Sequence, residues 1–335
     1  MTEISWTDKT WNPTAGCSLA SPGCTNCYAM RDAHRMAAHP NAAVSAKYAG
    51  TTTLGANGKP VWTGKINVVE KTLLEPLTWR GTPRRVFVNS MSDVFHDNLP
   101  TAARDRIFAV MALADKHTFQ VLTKRAEITR AYVSDPATPE RINAQVSALR
   151  PGAQLRHWPL PNVWLGVSAE DQRRANERIP VLLDVPAVVR FVSVEPLLGA
   201  ISLAEAVNGG ADRSVDLASA GLDWVIVGGE SGPAAREMHP AWAEALRDEC
   251  DAAGVSFFFK QIGAWAAIPA VRKSVSWLTI DGERVASHTP GAIRLSMIGA
   301  KAAGELIGGV VRQVFPDPEL ERVVPWSPAE IGKAA

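Results

Sequence analysis

Short uninterrupted apolar runs are the strongest constraint on how this chain folds. Six of them, at 85–89, 119–123, 163–167, 189–193, 224–228 and 255–259, are rich in Val, Ile, Leu, Trp and Phe. An apolar run of this length cannot leave one face in water, so it predicts a strand buried on both faces, as in a parallel sheet. Between the runs lie amphipathic stretches that predict helices over 101–116, 126–133, 172–183 and 240–254. The last has Pro240 near its start and Gly254 at its end, the residues that favour entry to and exit from a helix. With a further strand near 10–13, the alternation predicts about seven βα units. That pattern is α/β and points to a complete or partial (β/α) barrel. An open doubly wound sheet is the alternative, which periodicity does not separate from it.

Three stretches fall outside the repeat. Residues from about 40 to 80 form an insertion after the first unit, with turn signals at Gly55-Ala-Asn-Gly58 and at Gly64. The stretch from about 135 to 161 carries five prolines and predicts a long loop. From 264 to 335 the repeat stops, and a small β segment followed by a helix over 291–306 is expected. The organisation is then a barrel core over 1–263 with a C-terminal extension. A formal net charge of +1 over 335 residues implies no global commitment to a polyanion. No apolar run approaches the roughly 20 residues that cross a bilayer, which predicts no membrane partner. The opening residues lack the basic start and apolar core of a signal peptide. Together with unpaired cysteines this predicts a reducing, cytoplasmic setting. Eleven tryptophans against three tyrosines are compatible with an aromatic-lined cavity or with composition bias alone.

The chemistry is signalled by cysteine. Three of the four, Cys17, Cys24 and Cys27, fall within eleven residues, and Cys250 lies far away in a helical stretch. Three thiolates on one loop are soft ligands suited to zinc or iron–sulfur. A disulfide would strand the third thiol. A structural zinc site needs a fourth ligand: His34, about 10 Å along a helix from Cys27, is at the edge of reach, and Cys250 would serve only if the fold brought it back. The remaining reading is a [4Fe–4S] cluster held on three irons, its fourth iron open, after the first strand of a barrel. Radical S-adenosylmethionine (SAM) enzymes use this arrangement. Their usual loop spaces its cysteines by three residues and then two, whereas the first gap here is six residues, 18–23.

In barrels and open parallel sheets, ligands meet the carboxyl ends of the strands, and here those ends are polar. Ser90, Asp93, Ser168, Glu170, Glu195, Gly228 and Gly229 are the candidates to line a SAM site. Lys124, Glu230, Lys260 and Gln261 are candidates to act nearer the substrate. Gly228-Gly229 would let a ligand approach the backbone closely, and Glu230 could accept hydrogen bonds from a ribose or an amine. Singly, each polar residue reads equally as a helix cap or a salt-bridge partner, and the glycine pair as a turn.

The run Ile4-Ser-Trp6-Thr-Asp8-Lys-Thr-Trp11-Asn12-Pro13-Thr-Ala-Gly16-Cys17, continuing through Ser21-Pro22-Gly23-Cys24-Thr-Asn-Cys27-Tyr28, resembles the phage-associated gp-thirty-seven/gp-sixty-eight family. Val88-Asn-Ser-Met-Ser-Asp93-Val-Phe-His96, Leu122-Thr-Lys124-Arg125, Leu165-Gly-Val-Ser168, Ser193-Val-Glu195-Pro196 and Val227-Gly228-Gly229-Glu230-Ser231 extend the resemblance to about residue 265. That family is radical-SAM-like and of unknown function. The resemblance implies a radical-SAM-type barrel with a cluster on the three cysteines, and no particular substrate. The expected cofactors are a [4Fe–4S] cluster and SAM. The expected partners are an external electron donor, a small-molecule or nucleic-acid substrate, and a partner protein in some settings. The rival is a zinc-stabilised nucleic-acid-binding protein without SAM chemistry, supported by basic residues at Arg80, Arg84, Arg85, Arg173 and Arg174.

Overall fold

All six apolar runs, and the segment near residue 10, form one seven-stranded parallel sheet. The computed structural model describes residues 4–208, 217, 219–267, 274–287, 289–318 and 320–328. The strands are β1 (Lys9–Trp11), β2 (Arg85–Val88), β3 (Thr118–Thr123), β4 (Val163–Ser168), β5 (Arg190–Val194), β6 (Trp224–Gly228) and β7 (Ser256–Gln261). They lie side by side in chain order, each parallel to the next, with β1 and β7 at the two edges. A doubly wound sheet would reverse its order at a switch point; this one never does.

Curvature follows from one side chain. At about 4.8 Å per strand, a flat sheet would hold β1 and β6 about 24 Å apart. Yet Trp6, just before β1, places its ring 4.6 Å from Phe87 of β2, 6.5 Å from Phe191 of β5 and 6.3 Å from Trp224 of β6, centroid to centroid. The sheet is therefore curled into a half-barrel, which removes the open-sheet alternative.

Each strand alternates between two cores. Phe87, Trp164, Phe191, Trp224, Ile226 and Phe258 point into the half-barrel around Trp6. Val86, Val88, Val121, Leu165, Val192, Val225, Phe257 and Phe259 point outward into the core shared with the helices. Three of the tryptophans, at 6, 164 and 224, thus fill the barrel floor. The connecting helices are α1 (Tyr28–Ala37), α2 (Thr101–Leu113), α3 (Ala126–Val133), α4 (Thr138–Leu149), α5 (Gln172–Leu183), α6 (Leu203–Val207) and α7 (Pro240–Ala253). Asp171 caps α5 by accepting from the amide of Arg174, and Gly254 closes α7 in the left-handed conformation at φ 69°.

Two sequence expectations are corrected. The proline-rich stretch 135–161 is not a long loop: it contains α4, because Pro139 sits in the first turn, where its missing N–H costs nothing. Ile142 and Val146 of that helix are buried in the main core. The helix expected over 291–306 is mostly absent. Ile293–Met297 is a strand of a small antiparallel sheet with Trp265–Ala266 and Val275–Leu278, and only Ala300–Ala303 is helical. Glycines at both ends of that turn, Gly299 and Gly304 at φ near 85°, interrupt any longer helix. The insertion after α1 holds a short helix, Ala42–Tyr48, and a hairpin, Thr52–Leu54 with Pro60–Trp62.

The C-terminal extension also finishes the sheet. The amide of Phe259 donates to Arg312 and that of Val314 to Phe257, so this segment runs antiparallel along the free edge of β7. A covered edge cannot template pairing with another chain. Phe315 then packs its ring against Trp224 and Phe258 at the amino end of the barrel.

Candidate functional site

At the carboxyl ends of the strands lies a cavity of about 260 Å³, lined by all three clustered cysteines. Ser90, Asp93, Lys124, Ser168, Glu195, Gly229, Glu230 and Lys260 line it as well. Gln261, Glu170 and Gly228 do not. Gln261 lies just past a register shift in the ladder between β6 and β7, where Val227 pairs with Phe259 and Gly228 with Gln261. Glu170 lies beneath the cysteine loop, and Gly228 lies behind the Glu195 carboxylate, 3.4 Å from where its own Cβ would be.

The cysteine loop is held from several sides. Thr14–Ala15 pairs with Asn67–Val68 of the insertion, and Ser92 Oγ donates to the Gly16 carbonyl at 2.6 Å. Gly16 is required at φ 104°, since a Cβ there would lie 2.0 Å from the Lys65 carbonyl. The six-residue gap is taken up by a short 3₁₀ turn, Pro22–Cys24, and Cys27 stands at the N-terminus of α1. Two carboxylates clamp this turn. Glu170, wholly buried, accepts from the Gly23 amide at 3.1 Å and pairs with Lys124 and Arg178, each at 3.2 Å. Burial opposes its charge, but Lys124, Arg178 and the Gly23 amide hold its carboxyl down to about 2. Glu230 accepts from Asn26 Nδ2 at 2.9 Å and from Arg236 Nη2 at 2.6 Å, while Arg236 Nη1 reaches the Pro22 carbonyl at 3.0 Å. Despite its burial, Arg236 and Asn26 keep Glu230 below the usual carboxylate range.

Beside Cys17, Asp93 accepts from Thr123 Oγ1 at 2.8 Å and Arg125 Nη1 at 2.9 Å. Burial works against the Arg125 charge, yet Asp93 and Cys17 together hold that guanidinium above its ordinary value. Arg125 Nη2 donates to Ser18 Oγ at 2.7 Å, and His96 Nε2 lies 2.9 Å from the same oxygen. The Asn98 amide donates to His96 Nδ1, so the neutral ring carries its proton on Nε2 and donates it to Ser18. Ser18 thereby receives two hydrogen bonds and keeps its own proton for another acceptor.

The thiols are electrostatically unfinished. Burial, with Asp93 and Cys24, pushes Cys17 up to about 12 against the pull of Arg125. Burial raises Cys27 too, opposed by the first amides of α1 and by Lys124. Thiolates here need a positive partner, which a metal centre supplies. Among the described residues, no three His, Cys, Asp or Glu side chains group as ligands of one metal ion. A single tetrahedral ion, with sulfur at about 2.3 Å, draws its thiolates to about 3.8 Å of one another. Thiolates bound to different irons of one cluster stand further apart. All three thiols line the one cavity, and thiolates are the donor set of zinc and of iron–sulfur clusters alike. His34 instead meets Thr52 Oγ1 at 3.3 Å, and Cys250 is buried in the helix-side core.

Glu170 and Glu230 thus hold the loop directly, and Asp93 holds Arg125, which reaches the loop at Ser18. Glu195 and Lys260 are different: they pair across the cavity wall at 2.5 Å, each with about a fifth of its side chain exposed (19%). Ser168 and Ser193 line the wall from β4 and β5, and Trp6, Tyr28, Trp62, Phe87 and Leu122 supply apolar surface. Gly229 serves packing more than ligand approach, because a Cβ would collide with the Ile262 carbonyl at 2.0 Å. The basic stretches are partly engaged, with Arg85 on Asp8 and both Arg173 and Arg174 on Glu177. Sequence reasoning missed Asn26, Arg236, Ser18 and Arg178 as site-builders. The signal for Asn26 and Ser18 was adjacency to a cysteine; Arg178 and Arg236 lie where only the fold brings them near the loop.

Among known proteins, a family model described as a protein of unknown function (DUF5131) matches residues 1–316. No curated protein and no solved structure matches the chain.

Proposed function

The chain belongs to the DUF5131 family of proteins of unknown function, and from that starting point we propose that it is a radical-SAM-like iron–sulfur enzyme. Cys17, Cys24 and Cys27 would hold a [4Fe–4S] cluster, with SAM in the rest of the cavity. The observation that carries this reading is three thiols at the carboxyl end of a parallel half-barrel, on a loop pinned by buried carboxylates from two other strands. When bound, this pair of cofactors supplies one-electron cleavage of SAM to methionine and a 5′-deoxyadenosyl radical that abstracts hydrogen from substrate. The electron comes from an external donor. The substrate is a small molecule or a nucleic-acid component.

The chain's own residues bind, orient and exclude water. Arg125 offsets negative charge at Cys17, and Lys124 does so near Cys27. The Glu195–Lys260 pair offers an acceptor and a donor side by side, suited to the amino and carboxylate groups of an amino-acid moiety. Ser168 and Ser193 offer hydroxyls to a ribose. Trp6, Phe87 and Leu122 keep the floor dry, which suppresses side reactions of a reactive species.

The test is anaerobic reconstitution with iron and sulfide. The protein should turn brown and, with a reductant, convert SAM to 5′-deoxyadenosine. Cys24→Ala should abolish the colour, while Cys250→Ala should keep it. A colourless protein holding one tightly bound zinc would overturn the proposal.

A further inference from the structure

The end of the half-barrel opposite the cavity gathers several cations with no carboxylate partner among the described residues. Lys9, Arg80, Arg84 and Lys116 lie at or just before the amino ends of β1 to β3, and Arg150 and Arg156 lie on the connection from α4 that leads into β4. Elsewhere arginines are mostly ion-paired, as Arg106 is to Glu70, Arg141 to Asp135 and Arg236 to Glu230. Among the described residues none of these six cations pairs with a carboxylate. Lys9 Nζ sits 4.1 Å over the Trp79 ring, and Lys116 Nζ reaches only the Gly81 carbonyl, at 3.4 Å. Because the whole chain carries a formal charge of just +1, this concentration is a property of one face.

Three of these cations act on one buried group. His117 is buried beneath them, and after burial itself the charges of Lys116, Arg84 and Lys9 hold its imidazole below the ordinary range. Beside it runs a groove of about 940 Å³ lined by Lys116, Arg150, Arg156 and His157, with Asp115 the one acid on its wall. The large hydrophobic side chains exposed at this end, Val324 beside the groove and Val314 and Leu320 further round, are single residues of the C-terminal segment, and the groove itself carries the cations. A protein partner would need an apolar centre to its interface. A polyanion needs only unpaired cations, and arginine matches phosphate with two parallel donors.

We propose that this basic end binds the phosphate backbone of a nucleic acid. The site is separate from the cysteine cavity by the length of the strands, roughly 15–20 Å, and does not rest on the iron–sulfur reading. Binding here is electrostatic and independent of sequence.

Fluorescence anisotropy of a labelled 20-nucleotide single strand and its duplex, titrated with salt, tests the site. If all six cations meet phosphates, log affinity should fall against log salt with a slope of about −4 for the single strand and about −5 for the duplex. Replacing Lys116, Arg150 and Arg156 together by Ala should weaken binding at least tenfold and reduce the single-strand slope by about 2. These side chains are exposed, and a tryptophan-fluorescence melt verifies the fold; an Arg80→Glu/Arg84→Glu variant provides a second test outside the groove. Cys24→Ala should bind as the unaltered protein does. A slope near zero, full binding by both variants, or equal displacement of the oligonucleotide by poly-L-glutamate would overturn the proposal, the last in favour of an acidic polypeptide.

Discussion

Replacing Glu170 by Gln isolates the charge that anchors the cysteine loop. The substitution keeps the shape and the acceptor facing the Gly23 amide, but removes the negative charge between Lys124 and Arg178. Glu170 stands at about 2 in the folded chain against 4.5 for an unperturbed carboxyl. That gap is worth about 3 kcal/mol of folding stability, in line with breaking a buried ion pair. The folded-state value is depressed, so this stability is fully present above about pH 4.5 and is lost as pH falls toward 2. The difference between parent and variant should therefore shrink from about 3 kcal/mol at pH 7 to about 1 kcal/mol at pH 3. With an unfolding entropy of about 0.7 kcal/mol/K for a chain this size, the neutral-pH difference lowers the midpoint by about 4 °C. The eleven tryptophans report unfolding directly by fluorescence. Equal melting of parent and variant at pH 7, or the same gap at pH 3 and pH 7, would refute the assignment of the charge.

Two further outcomes are expected. In metal-free protein at pH 8, Cys17 should carry about a thousandfold less thiolate than an ordinary thiol. Its alkylation by iodoacetamide, followed by peptide mass spectrometry, should lag correspondingly; alkylation at the rate of free cysteine contradicts the burial argument. Phe315→Ala removes a partly buried ring that touches Trp224 and Phe258 and lies 3.7 Å beneath the Arg85 guanidinium. It should cost about 2–3 kcal/mol, less than a fully buried phenylalanine, measured by urea denaturation. Unchanged stability would mean that the extension does not close the barrel.

Much of the frame was legible because it is written locally. Five-residue apolar runs have no solution but two-sided burial, so six strands and their order of alternation with helices could be read directly. Gly254 and Pro240 mark a helix by backbone geometry alone. The proline-rich stretch misled because Pro139 was counted as a breaker, when in a first turn it is a starter. Which of the adjacent Lys260 and Gln261 lines the cavity is likewise not written locally, because the ladder between β6 and β7 shifts register at this point.

By itself, then, the sequence determined a repeating βα frame and three soft ligands after its first strand. Tertiary structure alone decided that the sheet curls, through Trp6 meeting residues from distant strands. It also decided which partner each carboxylate finds: Arg125 for Asp93, Lys124 and Arg178 for Glu170, Arg236 for Glu230 and Lys260 for Glu195. The physical reason is range. Propensity, capping and two-sided burial act over a few residues, whereas an ion pair such as Glu170 with Lys124, 46 residues apart, exists only once the strands carrying them are neighbours.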